Sequence, residues 1–290
     1  MVFAKFAHFY YDMSMAEDSN VALLGRKVFF LYPSEVTQNH IISELSQEEF
    51  EVYIFRDYTK LKQALVKYPD SIFFASINEV MRKDAWEALI KDIMISKETS
   101  TVDIGIITSI ADEDLKVKYT AQFSLRCGYT LIKTDYGSVL KQLISFLNNA
   151  NAKGRRKYIR VITGKETNTT VSLPLNGTFL NGRVKDISVA GFSCVLPDDS
   201  PVLPKNGVFE DMLIRLQSQL IKAEGVVFGS GGDESPNTYV ILFTQRTDPD
   251  GRTKIHKYIQ SKLQNTLDQE LKAIPPPESK PPENKPSESK

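Results

Sequence analysis

Cysteine is nearly absent from this 290-residue chain, which has only Cys127 and Cys194. A secreted scaffold stapled by disulfides is excluded on that count, and a reducing, cytoplasmic setting is the expectation. Histidine is equally scarce. His8, His40 and His256 have no zinc-ligand spacing with each other or with the cysteines, so no metal and no cofactor is expected. Net charge is missing too: 36 basic and 36 acidic residues cancel to zero. That argues against a general nucleic-acid binder, which needs many phosphate contacts, but it leaves room for a local basic site. No apolar run approaches the ~20 residues that span a bilayer, so no membrane insertion is expected. Near the start, Asp12, Glu17 and Asp18 interrupt the apolar residues and no small-residue cleavage site follows. A signal peptide is therefore not expected, and Met13 or Met15 are alternative starts.

What is present is ordinary globular composition, with 41% hydrophobic and 25% charged residues over a length suited to two domains. After an N-terminal extension, 1–25, the region 26–147 alternates two periods. Short apolar runs fall at 27–32, 51–55, 71–75, 103–108 and 129–132. Between them lie helical stripes such as Trp86, Leu89, Ile90 and Ile93, spaced i, i+3, i+4, i+7. Five strands alternating with helices imply a parallel sheet covered on both faces, because parallel strands need crossover connections.

The lengths of these elements resemble the receiver domain of response regulators, a flavodoxin-like five-stranded sheet. Thr108 ends the fourth run and Lys133 follows the fifth, where receivers place a hydroxyl and a lysine. The rest of that phosphorylation site is missing. The acidic pair after the first strand is replaced by Tyr32, Pro33 and Ser34, with Glu35 the only acid. The phosphoacceptor position reads Phe74, Ala75, Ser76. Without those carboxylates there is neither a divalent-metal site nor an acyl-phosphate nucleophile. The region reads as a receiver-like scaffold for contact with an unidentified protein partner.

Residues 148–154, Asn-Asn-Ala-Asn-Ala-Lys-Gly, read as a linker. From 155 to 272 the pattern becomes all-β and then helical. Strand-like runs at 170–175, 178–187, 191–196, 212–217, 220–228 and 238–243 predict a six-stranded antiparallel barrel. Asn-Gly pairs at 176–177, 181–182 and 206–207 are turn or bulge signals, and 229–232 reads as a flexible hairpin loop. The helix is placed at 253–271, with Ile255, Tyr258, Ile259, Leu263 and Leu267 as an apolar stripe packing on the barrel. The tail, 273–290, holds six of the 14 prolines and reads as disordered.

The strongest local signal opens the barrel. Arg156 and Arg160 form R-x-x-x-R with Arg155 beside them, and Asp186-Ile187-Ser188-Val189-Ala190-Gly191 is a D-x-S-x-x-G turn. Each motif alone is commonplace, one a solvated basic cluster and the other an Asp/Gly turn. In this order, on an all-β segment, the two resemble the PilZ domain, a bacterial receptor module for cyclic di-GMP.

The side-chain chemistry agrees with what the resemblance implies. Arginine's planar fork pairs bidentately with phosphate oxygens or with guanine O6 and N7. Asp186 offers the acceptor that arginine lacks, for the Watson–Crick donors of guanine. Ser188 adds a hydroxyl, and Gly191 permits close backbone approach, expected here toward the purine. Arg155, Arg156, Arg160, Asp186, Ser188 and Gly191 are thus the candidate cyclic di-GMP ligands. No nucleophile or general base is poised among them, so a non-catalytic receptor is expected. The alternative is an interaction adaptor whose barrel binds no nucleotide. Motility, virulence and exopolysaccharide control are candidate outputs.

Overall fold

The computed structural model describes residues 25–274 except 78–79, 134, 165, 167 and 232–236. The extension at 1–24, the tail from 275 and, of the loop expected at 229–232, residue 232 lie outside the described residues; Gly229 and Ser230 belong to a strand.

The α/β region is built on five strands: β1 (Val28–Leu31), β2 (Val52–Phe55), β3 (Ile72–Ser76), β4 (Asp103–Thr108) and β5 (Tyr129–Leu131). All pair in parallel, in the order β2-β1-β3-β4-β5. Period-two alternation divides the apolar side chains between two cores. Phe29, Leu31, Phe73 and Ala75 face one way. They meet Leu61 and Leu65 of α2 (Tyr58–Lys67) and Trp86, Ile90 and Ile93 of α3 (Lys83–Ile95). Val28, Phe30, Ile72 and Phe74 face the other way, against α1 and α5. Helix α1 runs through Glu35–Thr37, a wider π-turn stretch Gln38–Ile42, and Ser43–Gln47. Helix α4 is Glu113–Val117 continued by a similar stretch, Lys118–Gln122, and α5 is Tyr136–Asn149. This is the five-stranded doubly wound sheet the sequence pattern implied, with strand ends within a residue or so.

In the second region six strands close a barrel: β7 (Thr169–Leu175), β8 (Thr178–Ser188), β9 (Gly191–Val195), β10 (Val208–Leu216), β11 (Gln219–Ser230) and β12 (Thr238–Phe243). The ring runs β8-β7-β10-β11-β12-β9 and is closed by the β8–β9 pairing. Asn176 and Gly177, both at positive φ (50° and 78°), make the tight β7–β8 hairpin. Asn181-Gly182 is neither turn nor bulge, because it pairs regularly inside β8. A Cβ on Gly182 would lie 2.6 Å from Leu196 Cδ2 and 3.0 Å from Val195 O.

A short strand that the sequence reading missed, β6 (Arg160–Ile162), also joins the sheet. It pairs with the C-terminal end of β8, beyond the stretch that β7 covers. Three residues flanked by polar chain carry too little periodicity to announce a strand.

The final helix, α6 (Pro249–Lys272), starts four residues earlier than its periodicity suggested. Asp248 caps it, accepting from the Asp250 amide, and Pro249 occupies the first turn where its missing N–H costs nothing. At 24 residues it is about 36 Å long, enough to serve two bodies. Ile255, Tyr258 and Ile259 pack into the barrel core. Leu267 and Leu271 are buried in the α/β core instead, and partly buried Leu263 touches both. The stripe therefore does not stay on its own barrel. Gln264 Oε1 accepts the Ile54 amide at 2.9 Å, capping the exposed edge of β2, the outermost strand.

The stretch 148–154 is equally engaged. Its first two residues finish α5, and Ala152 is 1% exposed. The Ala152 carbonyl accepts the Arg26 amide at 2.9 Å, and the Ala152 amide donates to Leu147 O at 2.9 Å.

Candidate functional site

Strand β6 exists because Arg160, Val161 and Ile162 find β8 opposite them, and that pairing assembles the site. Arg160 lies opposite Ser188, and Ile162 opposite Asp186. Across β8, Asp186 faces Ser193 and Ser188 faces Gly191 on β9. Four of the six residues singled out from sequence thus converge on three neighbouring strands. Arg155 and Arg156 sit on the irregular chain that leads into β6, Arg155 exposed and Arg156 half-buried.

The Arg160 and Asp186 side chains are mostly buried, at 15% and 16% exposure, with Arg160 Nε 3.5 Å from Asp186 Oδ1. Asp186 also accepts from the Ser193 hydroxyl. The carboxylate is thereby fixed between a cation and a hydroxyl, presenting a charged acceptor beside a guanidinium.

Ser188 and Gly191 have duties inside the fold. Ser188, 2% exposed, accepts the Ala190 amide at 3.3 Å and donates to the Gly191 carbonyl at 3.2 Å, stitching the β8–β9 turn. A Cβ on Gly191 would lie 2.3 Å from Ile241 O and 2.9 Å from Leu242 Cα. A close backbone approach that demands glycine comes from β12.

Arg156 and Arg160 line a cavity of about 350 Å³ between the two regions. Its barrel-side wall includes Tyr158 and Lys262; its α/β wall includes Lys27, Glu51 and Tyr53, and Glu270 joins them from the C-terminal part of α6. Lys27 Nζ pairs with Glu51 and lies 3.1 Å from the Tyr53 hydroxyl. Glu270 of α6 accepts from Lys67 at 2.7 Å and from the Tyr68 hydroxyl. Burial, then the neighbouring Glu51 charge, push the Tyr53 phenol well up, so it stays a neutral donor.

Glu49 lines the same cavity and accepts the Ile159 amide at 2.7 Å. Burial raises its carboxyl to about 7, against the pull of that hydrogen bond and of Lys153. Sequence reasoning missed all of these α/β residues, because 110 residues separate Glu49 from its partner and no local pattern links them.

The receiver-like positions singled out from sequence lie at the C-terminal end of the parallel sheet. Ser76 is buried at the end of β3, and the Thr108 hydroxyl accepts the Ile110 amide at 3.1 Å. Lys133 is exposed. Among the described residues no cluster of His, Cys, Asp or Glu could hold a metal ion, and no helix is long and apolar enough to cross a membrane. Burial pushes both thiols, Cys127 and Cys194, up to about 12, so neither is a thiolate near neutrality.

No curated protein matches this chain. Among solved structures it is similar to the PilZ domain of YcgR from Escherichia coli with c-di-GMP. The identity is 14% and the TM-score 0.35, over 41% of this chain and 99% of that one. It is similar to the Bacillus subtilis inhibitor of motility MotI/DgrA at 16% identity and TM-score 0.32, over 40% of this chain and 53% of that one. A third is the K. pneumonia MrkH–c-di-GMP complex, at 20% identity and TM-score 0.34, over 42% of this chain and 57% of that one. The chain thus spans little more than half the length of the last two. The PilZ domain family model matches residues 154–261. That span opens just before the arginine pair, takes in the D-x-S-x-x-G turn and the whole closed barrel, and ends within α6. Residues 154–261 of this chain are a PilZ domain.

Proposed function

We propose that this protein is a non-catalytic receptor for cyclic di-GMP that passes nucleotide occupancy to a protein partner through its receiver-like region. The observation that carries the reading is the meeting of Arg160 and Asp186 on paired strands beside a cavity that Arg156 also lines. A cyclic dinucleotide carries two phosphate charges and two guanine edges. Arg155, Arg156 and Arg160 supply forked donors for phosphate or guanine O6 and N7. Asp186 supplies the acceptor for guanine N1–H and N2–H. In this proposal Ser188 and Gly191 act by shaping the turn that holds Asp186. The YcgR domain and MrkH are described with c-di-GMP; for this chain the nucleotide rests on the PilZ assignment and on the chemistry of those side chains.

In this reading the nucleotide couples to the α/β region at the junction, where Arg155 and Arg156 lead into β6, Arg160 opens it, and α6 contacts both cores. A ligand shifts the relation of the two regions only by its differential affinity for the two arrangements. Small-angle scattering of the full chain with and without saturating cyclic di-GMP tests this. A changed distance distribution is expected, and superimposable curves contradict the rearrangement. The nucleotide itself is tested by competition. Cyclic di-AMP, whose adenine presents an acceptor at N1 and has no N2 amine, is expected to displace cyclic di-GMP poorly, and Asp186→Ala to narrow the gap. Equal competition by the two dinucleotides contradicts the role of Asp186.

A further inference from the structure

Helix α1 ends in a two-bond terminator: the Phe50 amide donates to Leu45 O at 3.1 Å and the Glu49 amide to Ser46 O at 3.0 Å. This arrangement places Glu49 in the left-handed region, at φ 63°. Glycine is the residue suited to that position, since any Cβ there crowds the following carbonyl. Here a glutamate occupies it, and its carboxyl group is partly withdrawn from water as well. Both features cost folding free energy, and neither helps the helix. What the side chain gains is the Ile159 amide of the other region at 2.7 Å, with Lys153 of the connecting stretch as a further attraction. Ile159 lies between Tyr158 and Arg160, at the mouth of β6, and it shares a cavity wall with Glu49, Arg156 and Arg160. Strain kept at one residue and matched to a contact with a binding segment is the signature of a functional constraint.

We propose that Glu49 of the α/β region is a positioning residue of the nucleotide site, fastening the arginine-bearing strand through the Ile159 amide. The inference rests on the cyclic di-GMP reading above. Strand β6 is three residues long and is held to β8 along one edge, so its N-terminal end frays unless something else pins it. Glu49 supplies that pin from outside the barrel, and it sets where Arg156 and Arg160 stand relative to Asp186. The α/β region then contributes to nucleotide affinity by placing the arginines, without touching the ligand.

Two variants separate this from a merely structural role. Glu49→Gly gives the helix terminator the residue it favours, so thermal stability is expected to hold or rise while the pin is lost. Glu49→Gln keeps an acceptor oxygen and is expected to restore it. The first measurement is amide hydrogen exchange of residues 157–162 in full-length protein without added nucleotide. Exchange there is expected to be about tenfold faster in the glycine variant and near wild type in the glutamine variant, with the rest of the barrel unchanged. The second is titration with cyclic di-GMP. The glycine variant is expected to bind about three- to tenfold more weakly, the range for loss of one hydrogen bond, and the glutamine variant close to wild type. Unchanged exchange at 157–162 overturns the pin, and faster exchange with unchanged affinity overturns the positioning role. If wild-type protein binds no cyclic di-GMP, the functional reading fails and the nucleotide-positioning role falls with it; the exchange data then still decide the strand contact by itself.

Discussion

At the scale of single residues, the two motifs divide into groups proposed to bind the nucleotide and groups that hold the turn. Gly191 belongs to the second kind. Its missing Cβ makes room for the β12 backbone, with Ile241 O only 2.3 Å from where that atom would sit. Gly191→Ala is therefore expected to destabilise the barrel by about 2–4 kcal/mol, since a backbone carbonyl cannot give way as a side chain can. Urea denaturation monitored by circular dichroism checks this, and a loss under about 0.5 kcal/mol contradicts the packing argument. The D-x-S-x-x-G pattern was legible as a motif, yet its glycine has a cause no linear reading shows, because the crowding strand lies about 50 residues downstream in the chain.

Glu49 gives a pH signature at the same scale. Its folded-state carboxyl titrates at about 7, against an ordinary 4.5, with burial the main cause. Between those values the folded protein holds a proton that the unfolded chain has released, so this group makes stability fall as pH rises through the window. Glu49→Gln removes that dependence. The variant is expected to match wild type near pH 5 and to exceed it by about 1–2 kcal/mol at pH 8, after discounting for partial exposure. Parallel unfolding curves at both pH values contradict the burial of the carboxyl.

At the scale of elements, α6 is where sequence periodicity informed and misled at once. The stripe from Ile255 to Leu267 correctly marks a helix with one apolar face, but a helical wheel does not say what that face meets. Twelve residues separate Ile255 from Leu267, about 18 Å along the axis, so one stripe reaches from the barrel core into the α/β core. Leu267→Ala removes buried contacts in the α/β core and is expected to cost about 2–4 kcal/mol. Because α6 is common to both regions, unfolding followed by barrel and α/β probes is expected to shift together. A shift confined to one set of probes contradicts the bridging role. The short β6 and the buried Ala152 were hidden for a related reason: each is ordered by its partner, β8 in one case and Arg26 in the other.

At the scale of the whole molecule, the parallel sheet was legible because strands buried on both faces read as continuous apolar runs, and the barrel because its strands alternate between tight turns. The cavity between the regions was not legible. Its walls come from Lys27 before β1, from Glu51 and Tyr53 at β2, from Tyr68 after α2, and from β6 and α6, and Lys67 pairs with Glu270 across the junction. That junction is where the account places nucleotide recognition, so the most direct measurement is isothermal titration calorimetry of the full chain with cyclic di-GMP. Wild-type protein is expected to give a saturable heat. Arg156→Ala and Arg160→Ala are each expected to weaken binding by about 1.5–3 kcal/mol, the cost of a charge-assisted hydrogen bond. No saturable heat from the wild type, or unaltered affinity in both arginine variants, contradicts the account.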